Sequence, residues 1–175
     1  MTDLRYPIGK SAIPEIISDT YLKEAIEAIR TTPERLAKAI EGLNDQQLDT
    51  PYRPDGWTVR QVVHHVPDSH ANSYVRFHWA LTEDDPRIKV YKEGSWANLA
   101  YNQSMPVDVS LNLLTAIHAR LVRLLESLTE DDLVRTFRHP EDGKTHTLKK
   151  TILHYAWHGN HHIAHITALR ERMGW

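Results

Sequence analysis

Residues 147–173 read TLKKTILHYAWHGNHHIAHITALRERM. Leu148, Ile152, Tyr155, Ile163, Ile166 and Leu169 recur at the three- and four-residue steps that line up on one side of an α-helix. Thr147 supplies an N-cap hydroxyl ahead of them, so the pattern predicts a helix over 147–173. A helix this long with one apolar stripe has to lay that stripe against other helices.

Upstream, the same periodicity predicts three more long helices. Leu111, Leu114, Ile117, Leu121, Leu124, Leu125 and Leu128 mark one near 109–128. Val59, Val62, Val63, Val66, Phe77 and Leu81 mark another near 58–82. Ala25, Ile26, Ile29, Leu36, Ile40 and Leu43 mark one near 20–43. Two prolines interrupt these runs. Thr32-Pro33-Glu34 predicts a restart or kink, and Pro67 predicts a kink close to His65, because proline has no N–H for the carbonyl four residues back. Between the helices, 44–57 reads as a connection with a short turn at Asp45–Leu48, and 83–108 as a long crossover with a short helix around 95–103. Asp142-Gly143 can close a small hairpin, and residues 1–18, with Pro7, Gly9 and Pro14, suit an extended arm. The expected fold is all-α, a four-helix bundle with a long crossover and a small hairpin, forming a single domain over 1–175.

Composition narrows the function. The chain has 175 residues, 41% hydrophobic and 25% charged, which is globular. A net charge of −2 offers no basic surface for nucleic acid or an anionic membrane. No apolar run approaches the roughly 20 residues of a spanning helix, and MTDLRYPIGK has no apolar stretch of the kind a signal peptide carries. The chain has no cysteine, which excludes disulfides and thiolate metal sites and fits a cytoplasmic protein. Its 12 histidines are the departure from the ordinary, and their placement decides which chemistry is open to the chain.

His158 and His162 lie one turn apart where the polar arc of the last helix meets its apolar stripe, so both imidazoles can reach one ion. Gly159, Asn160 and His161 fill the gap, so the glutamate of an HExxH protease is missing. Two imidazoles make a weak site, and a third ligand is expected from another helix. His65 lies at the margin of the valine stripe, whereas His64 points about 100° further round. His154, His161 and His165 share the arc of His158, so helical position alone leaves them, and His64, as rivals. Arg60 and Arg76 read as solvated charges, and Trp57 and Trp157 as packing aromatics.

Trp57-Thr-Val-Arg-Gln-Val-Val-His-His65-Val-Pro-Asp68, taken with Trp157-His158-Gly-Asn-His-His162-Ile-Ala-His165, resembles the DinB-like superfamily. Within it, the chain is similar to the YfiT-type metal-dependent hydrolases, relatives of bacillithiol S-transferases, along nearly its whole length. The resemblance implies a four-helix bundle, a homodimer, and zinc or nickel held by His65, His158 and His162. It also implies a small-molecule substrate, with a low-molecular-weight thiol as the alternative.

Three neutral imidazoles leave an ion its full charge and an open position, the arrangement of catalytic zinc. Such an ion lowers the pKa of a water it binds toward about 7 and makes a nucleophile of it. Hydrolysis of a small ester or amide is therefore expected. Thiol transfer is the second reading of the same centre, and a non-catalytic metal site the third. Metal–nitrogen distances of about 2.0–2.2 Å are expected, with a carboxylate, carbonyl or water as partner for each ligand's free ring nitrogen and Asp68 as a candidate.

Overall fold

The computed structural model describes residues 3–175, so the first two residues of the expected arm lie outside the described residues. Four long helices dominate it. Helix α1 spans Asp19–Ile40 and is followed by a single turn, α2, at Asp45–Leu48. Helix α3 spans Val59–Thr82, and the crossover holds α4 at Glu93–Ala97 and a 3-10 turn at Ala100–Gln103. Helix α5 spans Val107–Glu126 and a short α6 covers Glu130–Leu133. A hairpin of β1, Thr136–Arg138, and β2, Thr145–Thr147, leads into α7, Leu148–Met173.

The boundaries follow local chemistry. Thr58 and Gln61 form a reciprocal capping box at the start of α3, and the Thr147 hydroxyl accepts from Lys150 N at the start of α7. Helix α1 stops three residues short of the expected end because Gly42 takes a φ of +78°, outside the helical region. Helix α5 begins two residues early, directly after Pro106. The short helix expected around 95–103 is two pieces, α4 and the 3-10 turn.

Both interior prolines are absorbed. Pro33 sits inside an unbroken α1, so the expected restart does not occur, and Thr32 is no N-cap there. Its hydroxyl donates back to Ala28 O at 2.7 Å. The carbonyl that Pro33 leaves unbonded within α1, Ile29 O, accepts from His118 Nδ1 of α5 at 2.6 Å. Pro67 is likewise buried within an unbroken α3.

Helix α1 packs against α7 and α5, and α3 packs against α5 and α7, so the four helices close a ring and the other pairs stand across its diagonals. One part of the core is built from Ile29, Phe77, Leu121 and Ile152, another from Leu36, Val62, Leu114 and Ile166, all fully buried. The sheet is the expected hairpin and no larger, pairing Phe137 with His146. No helix among the described residues is long and apolar enough to cross a membrane.

Arg60 overturns its reading as a solvated charge. It is buried, and its guanidinium donates to Asp49 and Asp45, each at 2.7 Å, which ties α3 to the α2 segment. The N-terminal arm lies on α7. Trp157 Nε1 donates to Gly9 O at 3.2 Å and His165 Nε2 to Arg5 O at 3.1 Å.

Candidate metal centre

Helices α3 and α7 each bring ring nitrogens to one point inside the ring. One nitrogen from each of His65, His158 and His162 lies within 4.8 Å of the other two, and this is the only such cluster found among the described residues. His65 Nε2 and His158 Nε2 stand 3.3 Å apart. Ser69 Oγ, one turn beyond His65, is 3.4 Å from His158 Nε2. Trp57 packs its indole against His65, with ring centres 4.7 Å apart, and lies parallel to His162 at 6.4 Å.

Close approach of α1 and α7 depends on Gly159. A methyl group there would meet Thr32 Oγ1 at 2.8 Å and Thr32 Cγ2 at 3.0 Å. The residue next to His158 therefore has no side chain because another helix occupies the space. The hydroxyl it faces is already committed to Ala28 O.

The rival histidines go elsewhere. His64 turns toward α5, its Nδ1 lying 2.7 Å from Ser110 Oγ. His161 stacks on Trp157 with ring centres 4.5 Å apart, and His165 stacks on Tyr52 at 4.0 Å. His154 is exposed on the surface of α7. The carboxylate expected to hold a ligand's far nitrogen is absent from that role. His158 Nδ1 instead meets His70 Nε2 at 3.2 Å, and His70 Nδ1 meets His118 Nε2 at 2.8 Å. Asp68 makes no described side-chain hydrogen bond to a ring, and burial pushes its carboxyl up to about 6.

His70 and His118 play no part in the sequence reading of the site. His118 carries a signal that can be read in retrospect, since it falls between Leu114 and Leu121 on the apolar stripe of α5 and is buried there. A polar residue on a core stripe needs a partner. His70 carries the same mark, falling between Val66 and Phe77 on the apolar stripe of α3, where it is fully buried.

Electrostatics favour neutral rings. Burial lowers His65 to about 4, with a smaller contribution from His165. His158 and His162 are held well below the ordinary histidine value, first by burial and then by neighbouring imidazoles. Metal ligation requires the neutral ring, so desolvation removes the competing proton before an ion arrives. His162 Nδ1 is buried with no hydrogen-bond partner among the described residues. A set of three neutral imidazoles converging on one point, with His65 Nε2 and His158 Nε2 3.3 Å apart, fits a borderline divalent ion. His65 and His162 also line an open cavity of about 490 Å³ with Arg5, Tyr6, Arg53 and Glu93, whose walls carry both signs of charge.

The sequence pattern of the DinB superfamily matches residues 28–166. Proteins from Bacillus mycoides strain KBAB4 and Bacillus cereus strain 03BB102, each named "putative metal-dependent hydrolase", are 55% identical over 175 residues, all of this chain and all of theirs. YfiT from Bacillus subtilis, described as "a probable metal-dependent hydrolase with an unusual four-helix bundle topology", matches with a TM-score of 0.96 and 46% identity, covering 98% of each chain. A mycothiol-dependent maleylpyruvate isomerase shares the fold at a TM-score of 0.60 and 19% identity, over 80% of this chain and 60% of its own.

Proposed function

The chain belongs to the DinB superfamily, and on that premise we propose that it is a metal-dependent hydrolase of a small molecule, with His65, His158 and His162 holding one zinc or nickel ion. The observation that carries the reading is the approach of three ring nitrogens to within 4.8 Å beside an open cavity. When bound, the ion would supply Lewis acidity and an acidified water at neutral pH.

The chain's own residues do the rest. Burial keeps the three rings neutral and therefore able to ligate. Trp57 fixes the plane of His65 from one side. Ser69 Oγ can bond an oxygen lying beside His158 Nε2. Glu93 is a carboxylate on the cavity wall, available to take a proton from an incoming nucleophile. The relatives are named hydrolases and share the full length of the chain, which supports hydrolysis over the other uses of such a centre.

Metal analysis of purified protein, followed by turnover assays on ester and amide panels with and without added metal, tests the reading. Metal-dependent hydrolysis that a chelator abolishes is expected. Product formation only in the presence of a low-molecular-weight thiol and an electrophile would replace hydrolysis with thiol transfer. Full metal occupancy with neither activity would leave a non-catalytic metal protein. The reading also takes the protein to be a homodimer, and light scattering that returns a monomer mass at micromolar concentration would reject that part.

A further inference from the structure

One polar group from each long helix joins a single line that ends at the metal centre. Ile29 O belongs to α1, His118 to α5, His70 to α3 and His158 to α7. The line has a direction. A carbonyl oxygen only accepts, so at the 2.6 Å contact His118 Nδ1 carries the proton and donates to Ile29 O. A neutral imidazole has one N–H and one lone pair, which leaves His118 Nε2 as an acceptor. His70 Nδ1 then donates to it across 2.8 Å. His70 Nε2 is in turn an acceptor, and His158 Nδ1 donates to it across 3.2 Å. His158 Nε2 is left as a lone pair, and it is the atom that stands 3.3 Å from His65 Nε2.

The far end is set by a proline. In an unbroken helix the N–H of residue 33 would bond Ile29 O, and Pro33 has none. The carbonyl is therefore unclaimed inside α1, and a buried unclaimed carbonyl strongly favours a donor. No carboxylate enters the line at any point, so all four groups are uncharged and the line itself sets no anion against the ion.

We propose that His70 and His118, anchored on the carbonyl that Pro33 frees, are positioning residues that fix His158 in its Nδ1–H tautomer and aim its Nε2 lone pair at the ion. The proposal rests on the reading of His65, His158 and His162 as ligands. Most metal-binding histidines are oriented by a carboxylate or carbonyl in direct contact. Here a carbonyl does so from two imidazoles away, across the whole bundle.

The tautomers are read directly by nitrogen NMR of the metal-free protein labelled with ¹⁵N-histidine. His158, His70 and His118 should all carry the proton on Nδ1, and His158 protonated on Nε2 would overturn the proposal without any variant being made. Zn²⁺ affinity by chelator competition, with the visible spectrum of bound Co²⁺, gives a second readout. His70→Leu and His118→Phe should weaken Zn²⁺ by roughly 10- to 100-fold and alter the Co²⁺ bands. His70→Gln, whose amide oxygen can accept from His158 Nδ1, should recover most of the loss. Wild-type affinity in His70→Leu would overturn the proposal, and so would equal losses in His70→Gln and His70→Leu, which would mark His70 as packing alone. Wild-type protein that takes up neither ion would refute the ligand assignment itself, an outcome distinct from a wild type that binds and a His70→Leu variant that binds equally well.

Discussion

Two sets of histidines share helix α7, and they are stabilised in different ways. The inner set, His158 and His162, faces other helices, and its partners are side chains from α3. The outer set, His161 and His165, faces the N-terminal arm. Its partners are Trp157, Tyr52 and the Arg5 carbonyl, supplied by α7 itself or by irregular segments. Both sets are withdrawn from water, and burial lowers all four rings. Burial therefore does not distinguish a ligand from a packed aromatic. The difference lies in whether a second helix presents a free nitrogen opposite the ring.

The largest expected effect separates the two sets outright. His158→Ala or His162→Ala should release bound metal, since two imidazoles remain, and should cost more than the roughly 10- to 100-fold that loss of an orienting partner costs. His161→Ala and His165→Ala should keep near wild-type occupancy. Mass spectrometry of the purified variants checks both, and metal loss in the outer variants would erase the distinction. His65→Ala retaining its metal while His64→Ala loses it would remove His65 from the site.

Acid should act on the bundle interior and on the arm-covered face of α7 together. His118 within the bundle and His161 under the arm are each held near 4 in the folded protein, against about 6.5 for a free histidine. Their folded values are depressed, so the unfolded chain binds more protons between those limits and stability falls as pH drops. The metal-free protein should be most stable above about pH 6.5 and lose denaturant resistance progressively toward pH 4. Urea midpoints measured across that window test this, and a flat profile would contradict the burial of both rings.

Smaller effects probe the scaffold under each set. Gly159→Ala would normally favour a helix, yet here the methyl group lands on Thr32, so a loss of about 1–3 kcal/mol is expected. Thr32→Ala in the same chain should restore most of it, with thermal unfolding as the measurement. Unchanged stability in Gly159→Ala would show that α1 and α7 have room to part. Phe in place of His165 keeps the stack on Tyr52 and removes the bond to Arg5 O, so His165→Phe should cost only about 1 kcal/mol.

How much of this was legible in the sequence depended on whether the information was local. Apolar spacing and caps are local, and α3 and α7 fall where Thr58 and Thr147 put them. The hairpin followed from Asp142-Gly143 in the same way. Pro33 and Arg60 were misread because their partners are distant. A proline in a helix reads as a break until another helix supplies the missing donor, and an arginine reads as solvated until two aspartates from a different segment close on it. The resemblance named the same three histidines that the structure brings together. His70 and His118 escaped because spacing marks them only as polar residues on apolar stripes, and the contacts between helices that give them a role are not encoded along either helix.

The line from Ile29 to His158 also bears on how the bundle reaches one alignment. Aliphatic side chains are forgiving partners, and a core of Leu, Ile and Val can repack when neighbouring helices slide. Shifting any one of the four helices by a single residue turns its side chains by about 100° and takes one link out of the line. The groups on either side would then be buried without partners, at about 1–3 kcal/mol each. Slipped packings that the aliphatic core would tolerate are thereby raised in energy in all four helices at once, and the native alignment is separated from its nearest competitors by hydrogen bonds that only it can complete.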